Sequence, residues 1–140
     1  MSTPESILSH VSLGTDDLER ARAFYTPVLA TLGIRVVESI DGAAVAFGRA
    51  FPEFWVNLPA DGEPAGVGNG THVGFIAESR AAVEAFHAAA LAAGASDEGG
   101  PGPRPHYGAP YYGCFVRDPD GHKIEAAFWD ESLADEPADG

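Results

Sequence analysis

An internal repeat constrains this chain more than any other feature. His10-Val11 recurs as His72-Val73, 62 residues later, and the same offset relates Phe24 to Phe86 and Leu29 to Leu91. Gly33 and Gly94 follow at a spacing of 61, and Asp16-Asp17 align with Glu78-Ser79 where each half should begin a helix. Neither half is long enough to bury an apolar face well alone, so the two copies should share one core.

Local signals give each half the same order. Residues 7–14 read as a strand. Thr15-Asp16-Asp17 then supplies an N-cap and first-turn acids, followed by apolar residues at helical spacing from Leu18 to Leu32. Pro27 should kink or restart that helix, and Gly33 should end it. Strands are expected over 34–40, 43–48 and 54–58, with Asp41-Gly42 as a hairpin turn. Six of residues 59–71 are Gly or Pro, which marks a linker. The order then restarts with a strand over 71–77, a helix capped by Ser79 and stopped by Gly94, and strands over 111–117 and 122–129 around the Asp118-Pro119-Asp120-Gly121 turn. Nine of residues 94–110 are Gly or Pro. They read as a long loop, with only a weak strand near 95–98. The expectation is an α+β fold. Two βαβββ modules related by a pseudo-twofold axis form a curved mixed sheet, a cup with helices outside. Module one is 7–58, the linker 59–70 and module two 71–129, within a single domain over 1–129. Residues 130–140 carry five acids and no base, which reads as a disordered acidic tail.

Composition narrows the function classes. Eight basic against 21 acidic residues give a net charge of −13, which argues against nucleic acid and anionic membrane surfaces as partners. The single cysteine, Cys114, forbids an internal disulfide and fits a reducing compartment; it reads as a small packing residue. The N-terminus has no basic stretch or apolar run of a signal peptide, and no segment is long and apolar enough to span a bilayer. A soluble cytoplasmic protein is expected, acting on a small molecule.

Strand alternation sorts the candidates by face. Val11 and Leu13 point to the helices, so His10 and Ser12 point into the cup. Val73 and Phe75 likewise leave His72 and Gly74 inside, and Ile124, Ala126 and Phe128 leave Lys123 and Glu125 inside. Trp55 and Asn57 face inward in module one. Two repeat-matched imidazoles and one carboxylate suit a divalent metal with open positions for substrate. His10, His72 and Glu125 are therefore the expected ligands, with Glu125 the catalytic carboxylate. The ion could be zinc, nickel, manganese or iron(II). Trp55, Asn57, Arg104, His106, Tyr107, Tyr111, Tyr112 and Lys123 are the expected substrate contacts. His87 reads as structural, and His122, beside a turn, as exposed.

The segments HVSLGTDDLERARAFYTPVLATLG, THVGFIAESRAAVEAFHAAALAAG and FVRDPDGHKIEAAFW resemble the vicinal oxygen chelate superfamily. That superfamily holds glyoxalase I, extradiol dioxygenases, fosfomycin-resistance proteins, methylmalonyl-CoA epimerase and bleomycin-resistance proteins. The resemblance covers about residues 7–129. It implies paired βαβββ modules around a metal-floored cup and places the family's metal ligands on His10, His72 and Glu125. It also implies a homodimer, since small members usually pair. Glyoxalase I has a fourth ligand on the last strand of its first module, where Trp55 and Asn57 stand here. Trp cannot ligate a metal and Asn is a weak ligand, so a three-ligand site fits better. The resemblance implies a metal-dependent lyase or isomerase of the lactoylglutathione lyase type, acting on a substrate with vicinal oxygens. An extradiol-type dioxygenase is the first alternative. A non-catalytic protein sequestering a drug or metabolite, as in the bleomycin-resistance branch, is the second.

Overall fold

The computed structural model describes residues 5–134. Module one runs β1 (Val11–Gly14), α1 (Leu18–Ala30), β2 (Arg35–Ile40), β3 (Ala44–Gly48) and β4 (Phe54–Asn57). Module two repeats the order with β5 (His72–Ile76), α2 (Arg80–Ala92), β6 (Ser96–Pro103), β7 (Tyr111–Arg117) and β8 (Lys123–Trp129). Each module forms a four-stranded mixed sheet, ordered β1-β4-β3-β2 in one and β5-β8-β7-β6 in the other. In each, the first and last strands of the module pair in parallel and the rest are antiparallel. The cup is thus built from two sheets that do not join into one ladder. Their edge strands β1 and β5 instead line a common groove, which holds both His10 and His72.

The helices begin where the sequence signals stand. Asp17 accepts a hydrogen bond from the Arg20 amide and Ser79 accepts one from the Ala82 amide, so each satisfies an orphan donor of a first turn. Pro27 does not restart α1, which runs unbroken over thirteen residues. Pro27 has no amide hydrogen to give the Ala23 carbonyl in mid-helix, and burial of Phe24, Tyr25, Val28 and Leu29 outweighs that loss.

One core serves both modules. Phe54 of β4 meets Phe75 of β5 edge to face at 5.0 Å, and α1 lies against α2. Polar side chains close the joint on the turn side. Tyr25 donates a short hydrogen bond to Asp118, Thr15 donates to Asp120 at 2.8 Å, and Arg20 pairs with Asp120. His122 belongs to this joint. It is buried, with Nε2 2.6 Å from the Gly14 carbonyl. The sequence expectation of an exposed His122 is therefore corrected: the turn before it packs on the other module.

The Gly- and Pro-rich stretch is also not a loop throughout. Residues Ser96–Pro103 form the edge strand β6, which follows β7 with two register shifts. The ladder bends around Gly99, whose φ of 152° few other residues adopt. The start of the acidic tail is ordered as well. Asp130 pairs with Arg80, residues Glu131–Ala134 make one helical turn, and Leu133 is buried. The rest of the expected tail, 135–140, lies outside the described residues.

Candidate functional site

Register places the inward side chains of module two in rows. His72 pairs with Lys123 and Lys123 with Arg117, which forms one row across β5, β8 and β7. The next row is Gly74, Glu125 and Phe115, and Tyr111 and Trp129 close the far end of β7 and β8. A cavity of about 300 Å³ opens among His72, Tyr107, Tyr111, Phe115, Lys123, Glu125 and Trp129.

Glu125 is the centre of this face. Its Oε1 lies 3.1 Å from His72 Nε2, and its Oε2 accepts a 2.5 Å hydrogen bond from the Tyr111 hydroxyl. Two glycines make that arrangement possible. A Cβ on Gly74 would stand 3.0 Å from Glu125 Oε1, and one on Gly113 would stand 2.2 Å from the Tyr111 oxygen. Gly74 thus leaves room for the carboxylate, and Gly113 lets the Tyr111 ring lean along the sheet to reach it. Burial first, and then the neighbouring Glu125 carboxylate, raise the Tyr111 phenol well above its ordinary range. Tyr111 therefore holds its proton at any physiological pH and acts as a donor to Glu125.

The aromatic wall is continuous. Tyr107 meets Tyr111 at 5.1 Å and Phe115 at 6.3 Å, and Tyr111 meets Trp129 at 5.6 Å. Lys123 Nζ stands 4.9 Å from the centre of the Phe115 ring.

The other expected site residues are placed differently. His10 lies on the exposed approach to β1. It is hydrogen-bonded to Ser9 and lines the groove of about 360 Å³ that His72 also borders. Among the described residues no three His, Cys, Asp or Glu side chains converge to hold a metal, so the chain brings His72 and Glu125 together and leaves His10 apart. Trp55 and Asn57 are half-buried on module one and are not on the wall of the Glu125 cavity. Arg104 donates to the carbonyls of Gly100, Gly102 and Gly113, which fixes the bend of β6, and its guanidinium stands 5.2 Å from the centre of the Phe115 ring on the cavity wall. His106 packs on Tyr107 at 4.2 Å, from the 3-10 turn Pro105–Tyr107. Tyr112 is turned to the helix side by alternation, where its hydroxyl donates to Glu84 at 3.0 Å and Arg80 stands over its ring. Its place in a substrate wall is corrected accordingly. Phe115 and Trp129 were not among the expected contacts, although their even spacing from Tyr111 and Glu125 marks the same face. His87 bonds Asp97 at 3.0 Å, as a structural side chain would.

Two βαβββ modules, each a four-stranded mixed sheet carrying one long helix, define the class of fold to which the chain belongs. The chain belongs to the Glyoxalase/Bleomycin resistance protein/Dioxygenase superfamily, whose family model matches residues 7–126. Solved structures agree. A glyoxalase/bleomycin resistance protein from Albidiferax ferrireducens T118 is 38% identical, with a TM-score of 0.78 over 88% of this chain and 98% of that one. A lactoylglutathione lyase from Agrobacterium tumefaciens is 25% identical, with a TM-score of 0.61 over 91% and 96% of the two chains. A superfamily enzyme from Burkholderia phytofirmans PsJN, 21% identical with a TM-score of 0.67 over 89% and 99%, shares the fold. No curated protein matches the chain. Among the described residues no helix is long and apolar enough to cross a membrane.

Proposed function

We propose that this protein is a metal-dependent lyase or isomerase acting on a small substrate with two neighbouring oxygens. The observation that carries the reading is the His72–Glu125 pair. Two ligand atoms each about 2.1 Å from a metal, at right angles, stand about 3.0 Å apart, and His72 Nε2 and Glu125 Oε1 are separated by 3.1 Å. The donor set fits a divalent ion of the zinc, nickel, manganese or iron(II) group. Such an ion supplies Lewis-acid stabilisation of negative charge developing on substrate oxygens. Glu125 would contribute the anionic ligand, with Tyr111 fixing its free oxygen. His72, held on an edge strand beside Gly74, would contribute the first imidazole.

The third ligand in this reading is His10 of a second copy in a homodimer. Its support is the location of His10 on the exposed approach to β1, beside a groove flanked by the exposed apolar side chains Leu8 and Ile76. An exposed apolar strip of that kind is what a partner of the same chain would cover. A soluble, cytoplasmic setting accords with this reading. An extradiol-type dioxygenase would use the same three ligands, with iron(II) and open positions for dioxygen.

The experiment is metal analysis of protein purified without chelators, with His10→Ala, His72→Ala and Glu125→Ala variants. Each variant should lose the ion, and His87→Ala should keep it. Mixing and refolding His10→Ala with Glu125→Ala should restore retention to about half of the sites in the mixed dimers. That result follows only if the site is shared between copies. Wild type that takes up no metal at saturating concentration would leave sequestration of a ligand in the aromatic cavity as the function, the reading that the Tyr107–Tyr111–Trp129 wall independently favours.

A further inference from the structure

Lys123 stands out from the other basic residues. It is the single lysine of the chain, against seven arginines. Among the described residues it makes no ion pair, whereas its row neighbour Arg117 is held by Glu98 at 2.6 Å and by the Gly121 carbonyl at 2.9 Å. Its ammonium is positioned by the face of Phe115, a contact that leaves its N–H donors free. It also borders two cavities. One is the aromatic cavity of Glu125. The other, about 330 Å³, lies between Lys123, His72, Arg117 and the glycine loop from Val67 to Thr71. The two spaces therefore meet at His72 and Lys123, one walled by rings and the other by cations and backbone.

We propose that the ligand of this cup is a planar aromatic acid whose anionic group is bound by Lys123. The proposal rests on the reading of the cup as a small-molecule site and names the substrate class. Four ring side chains, Tyr107, Tyr111, Phe115 and Trp129, are already packed edge to face. A flat apolar ligand can join them without reordering them. The one uncommitted ammonium sets the charge that is accepted, since Glu125 in the same cavity repels a second anionic group. A neutral aromatic of the same shape would leave Lys123 without its counter-charge, and an aliphatic acid would leave the ring wall uncovered. With the anion on Lys123, the ring is directed over Phe115 toward Tyr111 and Trp129, and the atoms between pass beside His72 and Glu125.

The test is binding of 2-naphthoate and of 2-naphthalenemethanol, its neutral counterpart, to the chelator-stripped full chain. Fluorescence of Trp129 and titration calorimetry both read it. Naphthoate should bind at least about ten-fold more tightly, and its affinity alone should weaken as salt is raised. Lys123→Met should bring the two probes to equal affinity while the carbinol binds as before, and Lys123→Arg should keep the preference. Equal affinities in wild type, no binding of either probe, or a preference that survives Lys123→Met would overturn the proposal. If Lys123→Met does not fold, as judged by its melting transition, the salt dependence and the Lys123→Arg variant decide. The metal reading is scored separately. Lys123→Met should retain as much metal as wild type, and absence of metal from wild type would sink that reading while leaving the naphthoate preference to stand or fall alone.

Discussion

The Tyr111 hydroxyl lies 2.5 Å from Glu125 Oε2, and the proton between them belongs to the tyrosine because burial keeps that phenol from ionising. Glu125 is thereby held at one oxygen and presented at the other. Tyr111→Phe should leave the fold intact, because the carboxylate is partly open to water and can recover a hydrogen bond there. The stability cost should be about 1 kcal/mol. Metal affinity, read by competition with a chelator, should fall about 10- to 100-fold, the usual effect of removing the group that orients a ligand. An affinity equal to that of wild type would show that Tyr111 only packs.

Gly74 and Gly113 should respond differently to alanine. At Gly113 the added methyl would meet the Ala126 carbonyl at 2.7 Å as well as the Tyr111 oxygen, and backbone cannot step aside. Gly113→Ala should cost about 1–3 kcal/mol or more, seen as a lowered denaturant midpoint. At Gly74 the methyl meets the end of the Glu125 side chain, which can swing. Gly74→Ala should melt near wild type yet retain metal poorly. Equal melting temperatures for the two variants would refute this assignment.

Tyr25 gives the module joint an alkaline limit. Its folded-state pKa lies well above the ordinary value of 10.0, chiefly through burial and then through Asp118. The unfolded chain releases that proton first. The stabilising contribution is thus complete below about pH 10 and is lost as pH rises toward the folded-state value. Thermal melts of wild type should fall steadily above pH 10. Tyr25→Phe should start about 1–3 kcal/mol less stable, with Asp118 deprived of its donor, and should show a shallower decline. Parallel curves for the two proteins would remove Tyr25 as the cause.

Cys114 should be silent toward alkylating agents in the folded protein. It is fully buried under α2, and burial pushes its thiol up to about 11. Iodoacetamide at pH 8 should label it only in denaturant, as followed by intact mass. Rapid labelling of native protein would contradict the packing of β7 against α2.

The elements with a strong period are legible in the sequence, and so is the face of the side chains in β1, β5 and β8. Alternation alone puts His72, Lys123 and Glu125 on the inner face, because a two-residue period survives any small error in strand ends, and the β5–β8 pairing brings them side by side. The misplacements share a physical cause: tertiary contact overrode a local signal. The β6 strand consists largely of Gly and Pro and exists because β7 offers it a ladder. His122 looks like a turn neighbour until the other module covers it. Pro27 sits in an intact helix because Tyr25, Val28 and Leu29 anchor that turn from both sides. Tyr112 looks like one of a tyrosine cluster in the sequence, yet it is one residue from Tyr111 and so faces the other way. Nothing in one chain's sequence brings His10 to Glu125, because a repeat fixes equivalence between positions and not the distance between them.

The pairing of Ser12 with Trp55 in module one matches that of Gly74 with Glu125 in module two, so Trp55 is the twofold counterpart of the carboxylate. With an indole at one position and an acid at its equivalent, the duplication keeps its backbone register but not its chemistry, and at this place a carboxylate is offered by module two alone.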